Sequence, residues 1–489
     1  MVAVGWDLAR ADLLAPKDYA ALTPVWLRLA GVVGRAFGVG QARTGRPGER
    51  LARVLERHGP VAIKLGQLLS TRADVFGAQF AMDLSHLKDR LPAFPLAQAR
   101  ASVEAALGQP VETLFDEFAE AVAAASLAQV HRARLKDGRA VAVKVLRPDV
   151  ERLVARDISA MTVAAGWVER WSPAAKRLEP RSLARTVARS LELELDLRFE
   201  AAGADELRLA MRSDGFMDAP AVVWPGVARR VLTLEWVDGD PLSDDATLRR
   251  PGLDGPRLAT SLIRAFLSQA LEHGVFHADL HEGNLFIDAD GRPIAVDFGI
   301  VGRLGASERR YLAEILWGFI RRDYARVADV HFDAGYVSAD HDRAAFAQAL
   351  RAVGEPIFGR TASDVSMSRL LTQLFEVTAL FDMRLRPELV LLQKTMLTVE
   401  GVARRVDPAL DIWAAAEPVV RRWITREMSP TSRLRELGDE VTAALRRIGR
   451  DPPPAVQTPP GATFRLDPVS LVLGALAAAT VFAAAALTR

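Results

Sequence analysis

The segment His277-Ala278-Asp279-Leu280-His281-Glu282-Gly283-Asn284 is followed, after the apolar run Pro293-Ile294-Ala295-Val296, by Asp297-Phe298-Gly299. The apolar run predicts a short strand between two polar turns. Phosphoryl transfer needs a carboxylate to position the nucleophile and oxygen ligands for the magnesium ions that bridge the phosphates. Asp279 is therefore predicted to be the catalytic carboxylate, with Asn284 and Asp297 as metal ligands.

Composition narrows the class of protein. The chain has 489 residues, 50% of them hydrophobic and 25% charged, which suffices for two or three domains or one large domain with extensions. A net charge of +2 gives no electrostatic reason to expect nucleic acid as a partner. Because cysteine is absent, disulfides, thiolate metal sites and thiol nucleophiles are excluded. Met1 to Arg10 has no basic start and no unbroken apolar run, so no signal peptide is predicted.

Two helices are predicted in the N-terminal region. Residues 20–37 form an amphipathic pattern that either lies on a membrane or packs on the domain. Pro60 suits the first turn of a second helix, on which Lys64 and Gln67 share one face. This polar stripe is either a solvated face or a functional one. Gly66, between the two side chains, would let another backbone approach closely.

A β-hairpin is predicted further along the chain. Asp137-Gly138 separates two alternating runs, 132–135 and 141–146, which is a strong hairpin signal. Lys144 falls on the second strand among apolar neighbours, where an ammonium group needs an anionic partner. A nucleotide phosphate and a glutamate on a following helix would meet that need. The alternative is a lysine that extends its charge into solvent.

The following helix, predicted from Pro180 to Met211, carries more acids than periodicity can choose among. Asp196 and Glu200 are four residues apart and share a face, whereas Glu194 lies about 200° from Asp196. If Glu194 and Asp196 serve one site, the helix must bend between them. A strand predicted over 231–237 then leads into a turn, as a hinge between two lobes would.

Together these segments resemble the UbiB family of atypical protein-kinase-like proteins, which are linked to ubiquinone biosynthesis. The resemblance covers residues 45 to 430 approximately, and alanines stand where ordinary kinases have a glycine-rich phosphate loop. The segments that carry it, besides the two active-site segments, are Lys64-Leu65-Gly66-Gln67, Ser70-Thr71-Arg72, Leu87-Lys88-Asp89, Ala123 to Ser126, Val143-Lys144, and Glu194 with Asp196 and Glu200.

The resemblance implies ATP and Mg²⁺ as cofactors and assigns roles to individual residues. Lys144 would act in catalysis beside Asp279, binding phosphates and pairing with Glu200, while Asn284 and Asp297 would hold magnesium. Lys64 and Gln67 would belong to a helical extension that covers the site, contacts the Glu194 and Asp196 region and restricts access for a protein substrate. The other implied nucleotide contacts are Ala123, Ala124, Ala125 and Ser126 of a stiffened phosphate loop and Glu235 and Val237 of the hinge strand.

The sequence departs from the family pattern in the catalytic loop. Leu280 and Glu282 stand where the family usually has proline. The spacing of Asp279 and Asn284 is unaffected, but Glu282 is expected to add negative charge near the metal. Relatives often end with two membrane spans, whereas this sequence predicts one.

The C-terminal region predicts attachment to a membrane. No charged residue occurs from Pro468 to Thr488, and about 20 apolar residues just span a bilayer core. Arginines accumulate before a proline-rich linker, favour the cytoplasmic side and would be drawn to anionic lipid. A helix buried against the domain is the alternative. These arginines are Arg404, Arg405, Arg421, Arg422, Arg426, Arg433, Arg435, Arg446, Arg447 and Arg450.

The predicted fold class is α+β, a protein-kinase-like two-lobed fold with a helical N-terminal extension and a C-terminal transmembrane helix. The predicted divisions are an amphipathic segment (1–44), a helical extension with the Lys-x-Gly-Gln motif (45–115), a kinase-like N-lobe (116–240), a C-lobe with a helical C-terminal part (241–450), a linker (451–467) and the span (468–488).

The predicted function is that of an ATP-binding atypical kinase or ATPase that supports ubiquinone synthesis. A non-catalytic, ATP-switched lipid-binding scaffold or chaperone is the alternative, and a polyprenylphenol hydroxylase is a weaker one, since the sequence has no flavin fingerprint. The implied partners are inner-membrane lipids, isoprenoid quinone intermediates, other ubiquinone-biosynthesis proteins and a second copy of the chain. The implied location is the cytoplasmic membrane, with the catalytic domain on the cytoplasmic side.

Overall fold

The computed structural model describes residues 7–8, 10–11, 44–70, 78–85, 87, 92–171, 180–355, 377, 380–381, 383 and 387–427. The amphipathic segment at 20–37, the linker at 451–467 and the apolar tail at 468–488 lie outside these residues, so their predictions stay predictions. Within the described part of the chain, no helix combines the length and the apolar character needed to cross a membrane.

The helical extension begins with α1 (Pro47–Arg57), α2 (Pro60–Ser70) and α3 (Ala78–Ser85), which pack on one another. Gly66 of α2 is buried, and a Cβ atom there would lie 2.6 Å from Leu55 Cδ1 and closer still to Leu87 Cδ1. Two leucine side chains, and not a second backbone as predicted, therefore require the glycine. Two further helices, α4 (Leu96–Leu107) and α5 (Val111–Leu114), lead to the sheet.

A four-stranded antiparallel sheet forms the smaller lobe. Its strands β1 (Phe115–Ala124), β2 (Ala128–Leu135), β3 (Ala140–Leu146) and β4 (Val231–Glu235) are adjacent in that order. The predicted hairpin is confirmed as the turn between β2 and β3, where Gly138 has φ 86°. Val141, Val143 and Val145 of β3 are fully buried, and Lys144 alternates with them on the other face.

In the described residues between β3 and β4, three α-helices precede a 3₁₀ turn (Trp224–Gly226). They are α6 (Val150–Trp171), α7 (Pro180–Glu194) and α8 (Leu197–Asp214). The prediction of a single helix over 180–211 is therefore wrong: the helix is broken at Leu195 and Asp196, between the two acids for which a bend was predicted on the condition that they serve one site. Asp196 has extended backbone angles and caps α8 by accepting from the Arg198 N–H, which satisfies one unpaired donor at the helix start.

The larger lobe places the two active-site segments side by side. After β5 (Asp240–Pro241), α9 (Asp245–Leu248), α10 (Gly255–Ser268) and a π-helical turn (Gln269–His273), the chain forms β6 (Val275–His277) and a 3₁₀ turn (Glu282–Asn284). The strands β7 (Leu285–Ile287) and β8 (Pro293–Ala295) pair antiparallel, and β9 (Val301–Arg303) returns to pair with β6. The strand predicted at 293–296 is thus confirmed.

The lobe is completed by helices α11 (Ala306–Arg321), α12 (Tyr324–Asp333), α13 (Arg343–Gly354), α14 (Pro387–Val406) and α15 (Ile412–Glu427). Helix α14 packs along α10, and both contribute to a large apolar core that also contains Phe266, Phe276 and Phe298. The mixture of a small sheet lobe and a helical lobe confirms the α+β class.

Candidate active site

The catalytic loop is held by a buried histidine at its start. His277 Nδ1 accepts from the Asp279 N–H at 3.1 Å, and Nε2 donates to the Val296 carbonyl at 3.2 Å. The Gln269 side chain, from the π-helical turn, accepts from the His277 N–H at 3.0 Å. Burial lowers the pKa of His277, which agrees with a neutral ring that uses one nitrogen as acceptor. His277 therefore fixes the backbone of Asp279.

Asn284 links the two ends of the same loop. Its side-chain amide donates to the Asp279 carbonyl at 3.0 Å, which leaves the amide oxygen as the atom available to a cation. The Val296 N–H donates to the Asn284 carbonyl at 2.9 Å and so connects the loop to the segment before Asp297. The Asp279 carboxylate is 35% exposed, with His281 Nε2 at 3.7 Å, so it remains accessible from the cleft.

Lys144 joins the two lobes through a pair of carboxylates. Its ammonium lies 2.7 Å from Glu200 Oε1 on α8 and 3.0 Å from Asp297 Oδ1. Burial lowers the pKa of Lys144, but the two carboxylates outweigh burial and hold the pKa above its ordinary value. Burial raises the pKa of Glu200, and the Lys144 charge opposes that rise. Lys144 is therefore a cation beside acidic groups, on the strand where the sequence predicted it.

Asp297 occupies a strained turn. Its φ of 62° lies in the left-handed region, where a residue with a side chain is uncommon and aspartate is among the better tolerated. The Lys144 charge lowers the pKa of Asp297 to about 2. The next residue, Phe298, is buried and its ring centroid lies 5.3 Å from that of His277. Packing of Phe298 therefore directs the carboxylate of Asp297 towards Lys144.

The prediction of a phosphate loop over Ala123 to Ser126 is only partly met, because half of this segment belongs to a strand. Ala123 and Ala124 belong to β1 and pair with Val130 and Gln129, so only residues 125–127 form the turn. The Ala125 N–H donates to the Ala128 carbonyl at 2.8 Å, and Ser126 is buried. Alanine composition does not reveal the strand, which exists because β2 supplies its hydrogen-bonding partners.

Arg147 fixes this turn, and no motif in the sequence indicates this role. Its Nε donates to the Ala125 carbonyl and its backbone N–H to the Leu127 carbonyl, both at 2.9 Å. The same guanidinium donates to the Pro92 carbonyl at 2.9 Å, in the segment before α4. Gln129, buried in β2, bonds both backbone groups of Phe94 at 2.8 and 3.1 Å. The turn and the extension are thus tied together.

Helix α2, which carries the Lys-x-Gly-Gln motif, packs beside α7 and the alanine turn. Lys64 forms an ion pair with Glu194, and these side chains are 15% and 19% exposed. Leu65 and Leu68 of α2 pack on an apolar cluster that also involves Leu127, next to the alanine turn. Gln67 lies half-buried on the same helix, and its carbonyl accepts from the Ser70 hydroxyl at 2.6 Å.

Asp196 and the hinge residues lie apart from these contacts. Asp196 pairs with the Arg198 guanidinium at 2.6 Å, so of the two acids expected near Lys64 only Glu194 is its ion-pair partner. The Glu235 carboxylate accepts from Arg139 at 3.0 Å on the rim of the sheet. Val237, just after β4, is half-buried. A nucleotide contact of Glu235 would therefore involve its backbone, and one of Val237 its backbone or its apolar side chain.

The structure corrects the expected effect of Glu282. Arg405 of α14 forms an ion pair with Glu282 and also lies 2.5 Å from Asp245 of α9, so the added negative charge is neutralised within the chain. Leu280 is buried in the core of the larger lobe. Arg405 is one of the arginines that the sequence predicts to be drawn to anionic lipid.

Two other arginines of the C-terminal group also form ion pairs with glutamates. Arg404 lies 2.7 Å from the buried Glu400, and Arg426 lies 3.4 Å from Glu427. Arg404 and Arg405 are therefore engaged by carboxylates of the fold, and the attraction of these arginines to anionic lipid stays a prediction. Arg433, Arg435, Arg446, Arg447 and Arg450 lie outside the described residues.

A sheet lobe and a helical lobe, joined by a lysine held between a helical glutamate and a turn aspartate, define a protein-kinase-like molecule. The model of the ABC1 atypical kinase-like domain matches residues 86–331, and that of the UbiB helical domain matches 350–411. The chain is 40% identical over 403 residues to the probable protein kinase UbiB of Marinobacter nauticus, covering 81% of this chain and 74% of the relative. This chain belongs to the UbiB family of atypical kinase-like proteins.

A solved structure with a TM-score above 0.5 supports the fold. The complex of Rv3197 with erythromycin from Mycobacterium tuberculosis aligns with a TM-score of 0.52 and 25% identity, over 75% of this chain and 93% of the other. The Rio2 kinase from Chaetomium thermophilum, in a complex with ADP, Mg²⁺ and phosphoaspartate, aligns at a TM-score of 0.26 and 14% identity, too low for a detailed comparison.

Proposed function

We propose that this chain is a magnesium-dependent, ATP-binding atypical kinase or ATPase that supports ubiquinone biosynthesis at a membrane. The observation that carries the proposal is the position of Lys144, 2.7 Å from Glu200 and 3.0 Å from Asp297. Asp279 and Asn284 stand on a loop that is hydrogen-bonded to the segment before Asp297. The arrangement supplies one cation for phosphates and two oxygen-bearing side chains for a metal.

The residues at the site fit Mg²⁺ together with a nucleotide. Magnesium is usually held by one or two protein oxygens while phosphates and water complete its shell. The Asn284 amide nitrogen is occupied by the Asp279 carbonyl, so the side chain presents its oxygen. Within the described residues, no group of three or more His, Cys, Asp or Glu side chains is placed to hold a metal. Asn284 and Asp297 would therefore share the ion with phosphate oxygens.

Each residue has a task that its contacts support. Lys144 binds phosphate oxygens, and Glu200 keeps its ammonium oriented. Asp279, partly exposed, positions the nucleophile and accepts its proton, whether the nucleophile is water or an acceptor hydroxyl. When bound, ATP would supply the phosphoryl group, and magnesium would neutralise much of the charge on the phosphates. Lys64 and Glu194 keep α2 against α7, where α2 restricts access for a large substrate.

The membrane part of the proposal comes from the family and from the apolar tail. The tail at 468–488 would bring the kinase-like domain to lipid on the cytoplasmic side, where isoprenoid quinone intermediates reside. The expected partners are these intermediates, inner-membrane lipids, other ubiquinone-biosynthesis proteins and a second copy of the chain. The phosphoryl acceptor would be a small or lipid-like molecule if α2 covers the site, as the family resemblance implies.

The test is ATP hydrolysis by the purified full chain with Mg²⁺ and anionic liposomes. Asp297→Asn should lower the rate at least about tenfold, because it removes a metal-ligating charge. Asp290→Asn, on the surface loop between β7 and β8, is the matched control and should retain the rate. Equal residual activity of wild type and Asp297→Asn would overturn the catalytic proposal. Tight Mg-ATP binding without turnover would instead favour an ATP-switched scaffold.

A further inference from the structure

One helix contacts the catalytic loop on both sides of Asp279. The buried Thr395 hydroxyl of α14 lies 3.0 Å from the carbonyl of Ala278, which is also buried, and 2.8 Å from the Leu391 carbonyl of its own helix, so the two carbonyls share its single proton. Arg405, near the other end of α14, forms the ion pair with Glu282. The two contacts are ten positions apart on one rigid helix, or about 15 Å at 1.5 Å per residue. Helix α14 thus contacts the loop at Ala278 and at Glu282, on either side of Asp279.

The Arg405 contact reaches the residues that carry the proposed chemistry. Glu282 begins the 3₁₀ turn that contains Asn284, and Asn284 in turn donates to the Asp279 carbonyl. Arg405 also lies 2.5 Å from Asp245 on α9, and its guanidinium is within 3.4 Å of the Ser243 carbonyl. One guanidinium therefore joins the loop to the segment that follows the hinge.

We propose that Arg405 is a positioning residue for the catalytic loop, so that the C-terminal helical part of the chain controls the placement of Asp279 and Asn284. This inference rests on the proposed function. Arg405 lies within the stretch matched by the UbiB helical domain, whereas Glu282 lies within the ABC1 domain. The ion pair thus crosses from one matched region to the other. It requires Glu282, which supplies the carboxylate on the loop.

Substitution of Glu282 by proline makes the proposal specific. Proline suits the first position of a helical turn, and Glu282 holds that position. A proline ring would fix the backbone of the turn without any ion pair. If Arg405 acts by positioning this turn, activity in the Glu282→Pro background should no longer depend on Arg405. If Arg405 only stabilises α14, its loss should have the same effect in both backgrounds.

The experiment measures kcat and KM for Mg-ATP, together with hydrogen exchange of the backbone over 277–284, in the full chain. Arg405→Ala should lower kcat about fivefold and speed loop exchange by a similar factor, the effect of losing a partly exposed ion pair. KM should change less than about twofold, because Lys144 is untouched. Arg405→Lys keeps the positive charge but loses the planar guanidinium. Its kcat and loop exchange rate should lie between those of wild type and Arg405→Ala.

Controls separate positioning from general stability. Arg249→Ala removes a different partner of Asp245, at 3.6 Å, and should change neither kcat nor loop exchange. Exchange over α11 should stay the same in every variant. Unchanged loop exchange in Arg405→Ala, or an equal loss of kcat in the Glu282→Pro background, would overturn the proposal. If wild type shows no turnover, the proposed function fails, and loop exchange alone still decides whether Arg405 positions the loop.

Discussion

Lys144 and Asp297 form an ion pair of 3.0 Å that joins β3 of the sheet lobe to the turn after β8 in the helical lobe. The ammonium expected to bind phosphate and the carboxylate expected to bind metal therefore neutralise each other. A metal nucleotide can replace this pair with two contacts, one to each group. Free ATP without a cation can satisfy only Lys144, so Mg-ATP should bind more tightly than metal-free ATP.

The same ion pair predicts how stability depends on pH. The pKa of Asp297 is lowered to about 2 in the folded chain, whereas an unfolded aspartate has a pKa of about 3.9. Its contribution to stability is therefore fully present above pH ~4 and is lost as the pH falls towards 2. Urea unfolding of wild type and Asp297→Asn should show a stability difference that is constant above that pH and shrinks below it. A constant difference across the whole range would contradict the prediction.

The ion pair between Lys64 and Glu194 should couple α2 to α7 energetically. Because both side chains are mostly buried, a double-mutant cycle with Lys64→Ala and Glu194→Ala should give a coupling free energy of about 1 kcal/mol or more. The exposed pair Arg189 and Glu192, on the same helix α7 at 3.4 Å, is the matched control. Its coupling should stay below about 0.5 kcal/mol. Equal values for the two pairs would argue against a buried contact at Lys64.

Gly66→Ala should destabilise the helical extension. The added Cβ would clash with Leu55 and Leu87, and overpacking of this kind costs roughly 1–3 kcal/mol. The control is Gly401→Ala on the exposed side of α14, where an added Cβ meets no atom within 4 Å. That substitution should stabilise the chain by about 0.5–1 kcal/mol, since alanine favours helix. Thermal unfolding of both variants tests the opposite signs.

Thr395→Val should impair the catalytic loop more than it impairs the helix. It removes the hydroxyl that donates to the Ala278 carbonyl, at a cost of about 1 kcal/mol in stability and with a lower kcat. Thr398→Val is the matched control, because the Thr398 hydroxyl bonds only to Lys394 of its own helix, at 2.9 Å. Similar kcat values for the two variants would show that the loop does not depend on Thr395.

The sequence predicted those features whose signals are local. The Asp-Gly turn specifies the hairpin that carries Lys144, and the apolar run before Asp297 specifies β8. The break at Leu195 and Asp196 could be stated only as a condition, because no proline or glycine interrupts the helical pattern there. Its physical cause is the capping carboxylate of Asp196, which competes with helix continuation.

Contacts between distant parts of the chain could not be read from periodicity. Arg405 and Glu282 are 123 positions apart, and nothing in the local pattern distinguishes Arg405 from its neighbour Arg404. Arg147 was equally hidden, because its partners are backbone carbonyls, which leave no trace in composition. The motifs therefore predict the functional class, whereas the contacts that hold the motifs in place are visible only in the fold.

Arg147 has a further consequence for how a nucleotide could enter. One guanidinium bonds both the carbonyl of Ala125 and that of Pro92. The turn that would lie over the phosphates cannot lift without breaking its link to the chain ahead of α4. If this turn covers the phosphates, movement of the turn and movement of the segment at Pro92 are coupled through Arg147, and a ligand that holds one in place is expected to hold the other.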